Sequence, residues 1–272
     1  MKKKMFLLLL LSCSMTFAQD KIEKSKKALT QESSAKNNTT TSTSSRNTQS
    51  SESGIFTEVA FKIAFGVVYY SMLGDYQHEN HLYSNLSMYP YYNGKSGNFE
   101  KYATDTIKEN EFRLDLEDEF IYNNQNLLGN HLKVKIRPFQ YFYLQADYHH
   151  LYEKDAFDGS TNSLSLYQFN FAYDRIRFEK FNLGWTLGAV YVANDVQKAG
   201  FSYGLNAEYF MGNHISFLGS AKWSKINSQP VNFFEFKPKY HLNNYFFSIG
   251  FEHLKIAQPT YNFISLGGGI YF

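Results

Sequence analysis

From residue 111 to the last residue, apolar and polar positions alternate with a period of two, in ten segments separated by turn-forming residues. The segments are Glu111–Tyr122, Asn130–Pro138, Phe139–Leu151, Ser163–Asp174, Phe181–Val192, Gly200–Phe210, Ile215–Lys225, Val231–Tyr240, Tyr245–Lys255 and Tyr261–Phe272. Phe181–Val192 shows the pattern well. Phe181, Leu183, Trp185, Leu187, Ala189 and Tyr191 share one face, and Asn182, Gly184, Thr186 and Gly188 share the other. A water-soluble sandwich would turn charge outward and bulk inward. Here the continuous face is aromatic and the opposite face is small, polar or charged. That pattern suits strands with hydrocarbon on one side, and each segment is long enough to cross a bilayer when tilted. Strand edges left open in lipid would strand their N–H and C=O groups, so the sheet has to close. The predicted fold is all-β: a closed antiparallel transmembrane β-barrel of about ten strands.

The connections follow the same logic. Those around Pro138, at 211–214 and at 241–244 are tight, whereas 123–129, 152–162, 193–199, 226–230 and 256–260 read as longer loops. Short periplasmic turns and longer external loops are the rule for such barrels. Residues 54–110 fit less well. Val59, Phe61, Ile63, Phe65, Val67 and Tyr69 alternate like a strand but also suit an apolar helix. Turn signals then run through Pro90, Asn93-Gly94 and Ser96-Gly97. A helical or irregular segment that caps or plugs the barrel is expected, with two further strands, and so a barrel of twelve, as the alternative.

Both ends of the chain carry addressing signals. In the last segment Ile264, Leu266, Gly268, Ile270 and Phe272 lie on one face. This alternation, ending on Phe, resembles the closing strand of bacterial outer-membrane β-barrels. In those Gram-negative proteins the terminal aromatic is part of the insertion signal. The resemblance covers 111–272 and implies outer-membrane lipid, lipopolysaccharide, the barrel-insertion machinery and periplasmic chaperones as partners. At the other end, Lys2–Lys4 and an apolar run precede Thr16-Phe17-Ala18, a signal peptide over 1–18. Leu10-Leu11-Ser12-Cys13 also fits a lipoprotein box. Residues 19–53 are rich in Ser, Thr, Asn and Lys, a composition that predicts a disordered periplasmic linker.

Composition sharpens this picture in two places. The formal charge of +2 comes from the N-terminal lysines, and 54–272 hold about 18 basic and 21 acidic residues. No basic patch argues for nucleic acid. A mean hydropathy of −0.42 is compatible with a barrel, whose strands give only alternate residues to lipid.

The candidate chemistry lies on the inward faces. Arg113, Asp115, Glu117 and Glu119 line the first strand, and His131, Lys133, Lys135 and Arg137 line the second. A hairpin centred near Asn126 pairs Asp115 with Arg137, Glu117 with Lys135 and Glu119 with Lys133. Each cross-strand pair contributes about 0.2–1 kcal/mol. Asp147 and His149 share a strand face, as an acid/base dyad requires. The spacing is similar to the Asp-x-His of the omptin proteases, ten-stranded outer-membrane barrels that activate a water. The second aspartate pair of that family has no counterpart here. His78 and His81 lack a third ligand, so no metal site is predicted. Gly94-Lys95-Ser96 lacks the upstream glycine of a phosphate loop, and no cofactor is implied.

The functional expectation is a structural or binding barrel with a charged, side-chain-filled lumen. A narrow pore for small solutes is the alternative, and an omptin-like or lipid-modifying enzyme the third reading. Reversing the charges of Glu117 and Lys135, singly and together, tests the predicted register. The double reversal should fold better than either single one if the two residues face each other.

Overall fold

A computed structural model describes residues 21–31, 69–74, 81, 84–99, 112–124, 126–155 and 159–272. The signal segment with Cys13, most of the linker and His78 lie outside these residues. Ten strands form: β1 Arg113–Asn124, β2 Leu127–Arg137, β3 Phe142–Lys154, β4 Thr161–Phe178 and β5 Phe181–Val192. They continue with β6 Lys198–Met211, β7 Ile215–Ile226, β8 Gln229–Leu242, β9 Tyr245–Ile256 and β10 Thr260–Tyr271. Each pairs antiparallel with its neighbours in sequence, and β1 pairs with β10 to close the barrel. That closure settles the number at ten, and the described part of 54–110 adds no strand to the ring.

The barrel is inside out relative to a water-soluble protein. Phe247, Ile249 and Leu266 are 62, 56 and 64% exposed on its outer wall, whereas Lys237 and Glu252 inside are 0 and 1% exposed. Alternation enforces this, because neighbouring residues on a strand point to opposite faces. Inward glycines make room for the longer side chains. At Gly267 a Cβ would stand 2.6 Å from Cγ of Glu119 and 2.2 Å from the carbonyl oxygen of Asp118.

One end of the barrel holds the ends of β1 and β10 and the turns at 138–141, 179–180, 212–214 and 243–244. We call it the turn mouth, and the opposite end the loop mouth. Several loop-mouth connections are shorter than the sequence predicts. β7 and β8 are joined by Asn227 and Ser228, both with positive φ, as a two-residue hairpin requires. β1 and β2 are separated by two residues where seven were expected. The Asn124 side chain explains the tightening, since its Oδ1 accepts from the backbone N–H of Asn126 and of Leu127, both at 2.9 Å.

That short turn corrects the predicted register. Asp115 faces Lys135, Glu117 faces Lys133, Glu119 faces His131, and Arg113 faces Arg137. The pairs are offset by two residues from those expected, because the turn centres one position earlier than Asn126. The inward and outward faces survive the shift, since two residues is one full period of a strand.

A second correction concerns the linker. Residues 21–30 form a helix, α1 Lys21–Thr30, laid across the loop mouth. Ile22, Ser25 and Leu29 form its buried face, spaced at helical intervals. They meet an apolar collar inside the barrel that includes Ile121, Leu151, Val190, Val231, Ile256 and Phe263. Full burial of Ile22 and Leu29 contributes about 1.5–3 kcal/mol each. Short apolar residues spaced through a lysine-rich stretch are easily read as disorder when the collar that receives them is unknown.

Arginine in place of Ile249, mid-strand on the outer wall, should cost about 2–4 kcal/mol of folding free energy in lipid vesicles, measured by urea titration. No loss would mean that this face does not meet hydrocarbon.

Candidate functional site

The site is the lumen, which has three layers. At the turn mouth, residues 84–99 cover the opening as an irregular stretch with a 3₁₀ turn at Tyr92–Gly94 and a bridge between Leu86 and Phe99. Asn98 reaches inward, its Oδ1 accepting from Arg113 at 2.9 Å and its Nδ2 donating to Glu208 at 3.0 Å. Arg113 also donates to the Ser87 carbonyl at 3.3 Å. The Tyr91 hydroxyl donates to the carbonyls of Ile215 and Met211. Burial, with the nearby Glu208 carboxylate, pushes the Tyr91 phenol well above its ordinary value, so it stays a neutral donor. A cap of this kind was one of the expected roles for 54–110. His81, the described half of the weak histidine pair, stacks on Tyr141 at 4.2 Å.

The middle layer is a network of ion pairs, most of which join strands that are not neighbours. Glu119 of β1 pairs with Lys237 of β8 and accepts from Ser248 Oγ at 2.7 Å. Glu117 pairs with Lys239 at 2.7 Å, and Lys133 of β2 donates to both oxygens of Glu235 at 2.7 Å. Asp147 of β3 accepts from Lys222 of β7 at 2.6 Å. Nearer the turn mouth, Asp115 accepts from Arg113 at 2.7 Å and lies 3.5 Å from Arg137 Nε. It thus separates two like charges that the register sets face to face. Arg137 also reaches Asp174 of β4 at 3.1 Å.

All eight predicted ladder residues therefore point inward and are buried. The structure gives Glu117, Glu119, His131 and Lys133 partners from across the lumen, while Asp115 pairs with Arg113 and with Arg137 of the adjoining strand. Sequence reasoning missed Lys222, Glu235, Lys237, Lys239 and Glu252. Their signal was present: they alternate with aromatics in segments already read as strands, but nothing local tells which strands face each other.

Asp147 and His149 both enter the lumen, where they share His131 and otherwise have different partners. Asp147 takes Lys222, Gln145 at 2.9–3.0 Å and His131 at 3.3 Å. His149 stacks on His131 with centroids 3.7 Å apart, and its Nε2 lies 3.4 Å from Glu252. Folding also gathers a set of possible metal ligands that was invisible in sequence: His131, His149 and Glu252 come from β2, β3 and β9.

The third layer is the collar and α1. Glu153 on β3 accepts from the N–H groups of Lys21 (3.2 Å) and Ile22 (2.8 Å), placing a carboxylate on the positive helix N-terminus. Ser25 donates to the Ile256 carbonyl at 3.1 Å and shares a 2.7 Å hydrogen bond with Tyr261. Asn227 donates to the Leu29 carbonyl at 2.6 Å. Lys26 pairs with Asp195 at 2.7 Å and holds that exposed carboxyl below its ordinary value. These anchors stand on several sides of the mouth, so α1 spans the opening.

No family model and no curated protein matches the sequence. Among solved structures, the chain is similar to an outer membrane channel from Pseudomonas putida F1, at 8% identity and a TM-score of 0.39, covering 64% of this chain and 100% of that one. It is similar to the outer membrane protein Ail of Yersinia pestis in a phospholipid bilayer nanodisc, at 13% identity and 0.34, covering 60% and 100%. It is also similar to the outer membrane protein OprG of Pseudomonas aeruginosa, at 9% identity and 0.31, covering 59% and 95%.

Breaking one partner of a buried pair costs about 3–5 kcal/mol, because the other charge is left uncompensated. Glu117→Lys should therefore unfold in markedly less urea than wild type. Adding Lys239→Glu should restore much of the loss, and adding Lys135→Glu should restore little. The opposite order of rescue would reinstate the adjoining-strand pairing.

Proposed function

We propose that the chain is an integral outer-membrane β-barrel whose lumen is sealed by its own side chains, with a structural or binding role rather than transport. One observation carries this reading: ion pairs cross the lumen between strands that do not touch. β1 and β8 are separated by β10 and β9, yet Glu117 and Glu119 close on Lys239 and Lys237. Two cavities among these groups measure about 10 Å³ each, room for roughly one water apiece. Barrels near this size are commonly filled by side chains, which agrees.

Outer-membrane placement is supported by the aromatic exterior and by the outward face of β10, where Ile264 and Leu266 stand free. With the ends of β1 and β10 on the periplasmic side, the loop mouth faces the outer leaflet. α1 then sits outside, where the exposed Lys24 would face the phosphates of lipopolysaccharide, Lys27 being paired with Glu23. That position differs from the periplasmic tether expected for these residues. Insertion machinery and periplasmic chaperones would deliver such a chain. Catalysis by Asp147 and His149 has little support, because Asp147 is already committed to Lys222 and His131.

A narrow pore plugged by α1 is the second reading, favoured by the collar, which carries few polar groups beneath the helix. Single-channel recordings in planar bilayers separate the two. The full chain and a variant lacking residues 21–30 should both be silent, since the ion-pair layer remains. Steady current through the full chain would overturn the sealed barrel. Current that appears only without α1 would establish the helix as a plug.

A further inference from the structure

We propose that His131, His149 and Glu252 form a binding site for a divalent transition metal of the zinc class inside the barrel. His131 and His149 face each other across the β2–β3 pair, which stacks their rings, and Glu252 approaches from β9. One ligand atom from each lies within 4.8 Å of the others, and the three side chains are 1–5% exposed. Two imidazoles and a carboxylate are a common donor set for zinc.

The hydrogen bonds around the cluster leave a cation's place between acceptors. Asp147 is fixed by Lys222 and Gln145, and its Oδ1 lies 3.3 Å from His131 Nε2. A neutral His131 that donates there turns the lone pair of Nδ1 toward Glu252 Oε1, 2.7 Å away. At 2.7 Å the pair shares a proton, which a metal would displace as the two atoms move apart to ligand spacing. A carboxylate that orients a histidine in this way is the usual outer support of a metal-bound imidazole.

A proton on His131 would satisfy that contact but would leave the rest of the cluster unserved. Glu252 Oε2 and His149 Nδ1 are buried without hydrogen-bond partners among the described residues. His149 Nε2 and Glu252 Oε2 are 3.4 Å apart, about the separation of two tetrahedral ligands each roughly 2.0–2.1 Å from zinc. The adjoining cavity of about 10 Å³, lined by all three residues, has room for a water as fourth ligand. Lys237 Nζ is the local competitor, 2.9 Å from Glu252 Oε1 and 3.4 Å from His131 Nδ1. It has Glu119 and Glu235 as further partners, and can leave Nδ1 to a metal without losing its own pairing. The mouths are covered by α1 and by residues 84–99, so the ion would enter as the barrel folds.

The test is to refold the full chain in detergent with Co²⁺, remove free metal, and measure retained cobalt and its visible absorption. One cobalt per chain is expected, with the intense absorption of a tetrahedral site. Affinity should fall at least tenfold in His149→Ala and in Glu252→Gln, each checked for folding by its heat-dependent shift on a denaturing gel. No retained cobalt, or equal retention in both variants, overturns the site. X-ray absorption of the wild-type cobalt form gives a second readout that needs no variant. Two histidine nitrogens in the first coordination sphere are expected, and a sphere of oxygens alone overturns the proposal.

Discussion

In hydrocarbon no water is present to take up an unpaired backbone N–H or C=O, and the whole architecture answers to that constraint. The β1–β10 ladder, from Asp115 opposite Tyr271 to Tyr122 opposite Ile264, removes the two edges an open sheet would have. Closure then creates an enclosed volume, and the period of two decides what fills it. With Phe, Leu and Ile outside, every second residue is forced inward, including many that are ionised.

Such charges are costly to bury alone and tolerable when paired and hydrogen-bonded. The lumen meets that demand by geometry. Glu119 has Lys237 and Ser248, Asp147 has Lys222 and Gln145, and Asp115 lies between two arginines. The same pairings tie opposite walls together. The sealed lumen we propose would be a consequence of charge pairing in a narrow barrel. The apolar collar above it, where charges give way to Leu151, Val190 and Ile256, is what α1 can cover with Ile22 and Leu29.

The His131–His149–Glu252 cluster lies within this network and is one of the places where its pairing is incomplete. Asp147 connects the two, serving Lys222 on one side and His131 on the other. Most carboxylates of the lumen meet an ammonium or guanidinium, whereas Glu208 accepts from Asn98 and Ser216. Here Glu252 meets Lys237 through Oε1 only, and its Oε2 and His149 Nδ1 are buried without hydrogen-bond partners among the described residues. The adjoining cavity of about 10 Å³ leaves bulk water little room to compensate.

The sequence alone determined the strands, their faces, their closure and the inward charges of Arg113 to Glu119 and of His131 to Arg137, because alternation is local and needs no partner to be read. Lys237 and Glu252 went unread, although they alternate with aromatics in segments that read as strands. Register, cross-lumen pairing and the seat of α1 were decided only in three dimensions. The register hung on Asn124 capping its own turn, a difference of one residue at the centre of a hairpin. The pairing hung on which walls a closed ring sets opposite each other, a relation between residues 75 to 122 positions apart. The helix at the mouth depended on a collar assembled from many strands, so Ile22 and Leu29 had no apolar surface to meet until the barrel had formed.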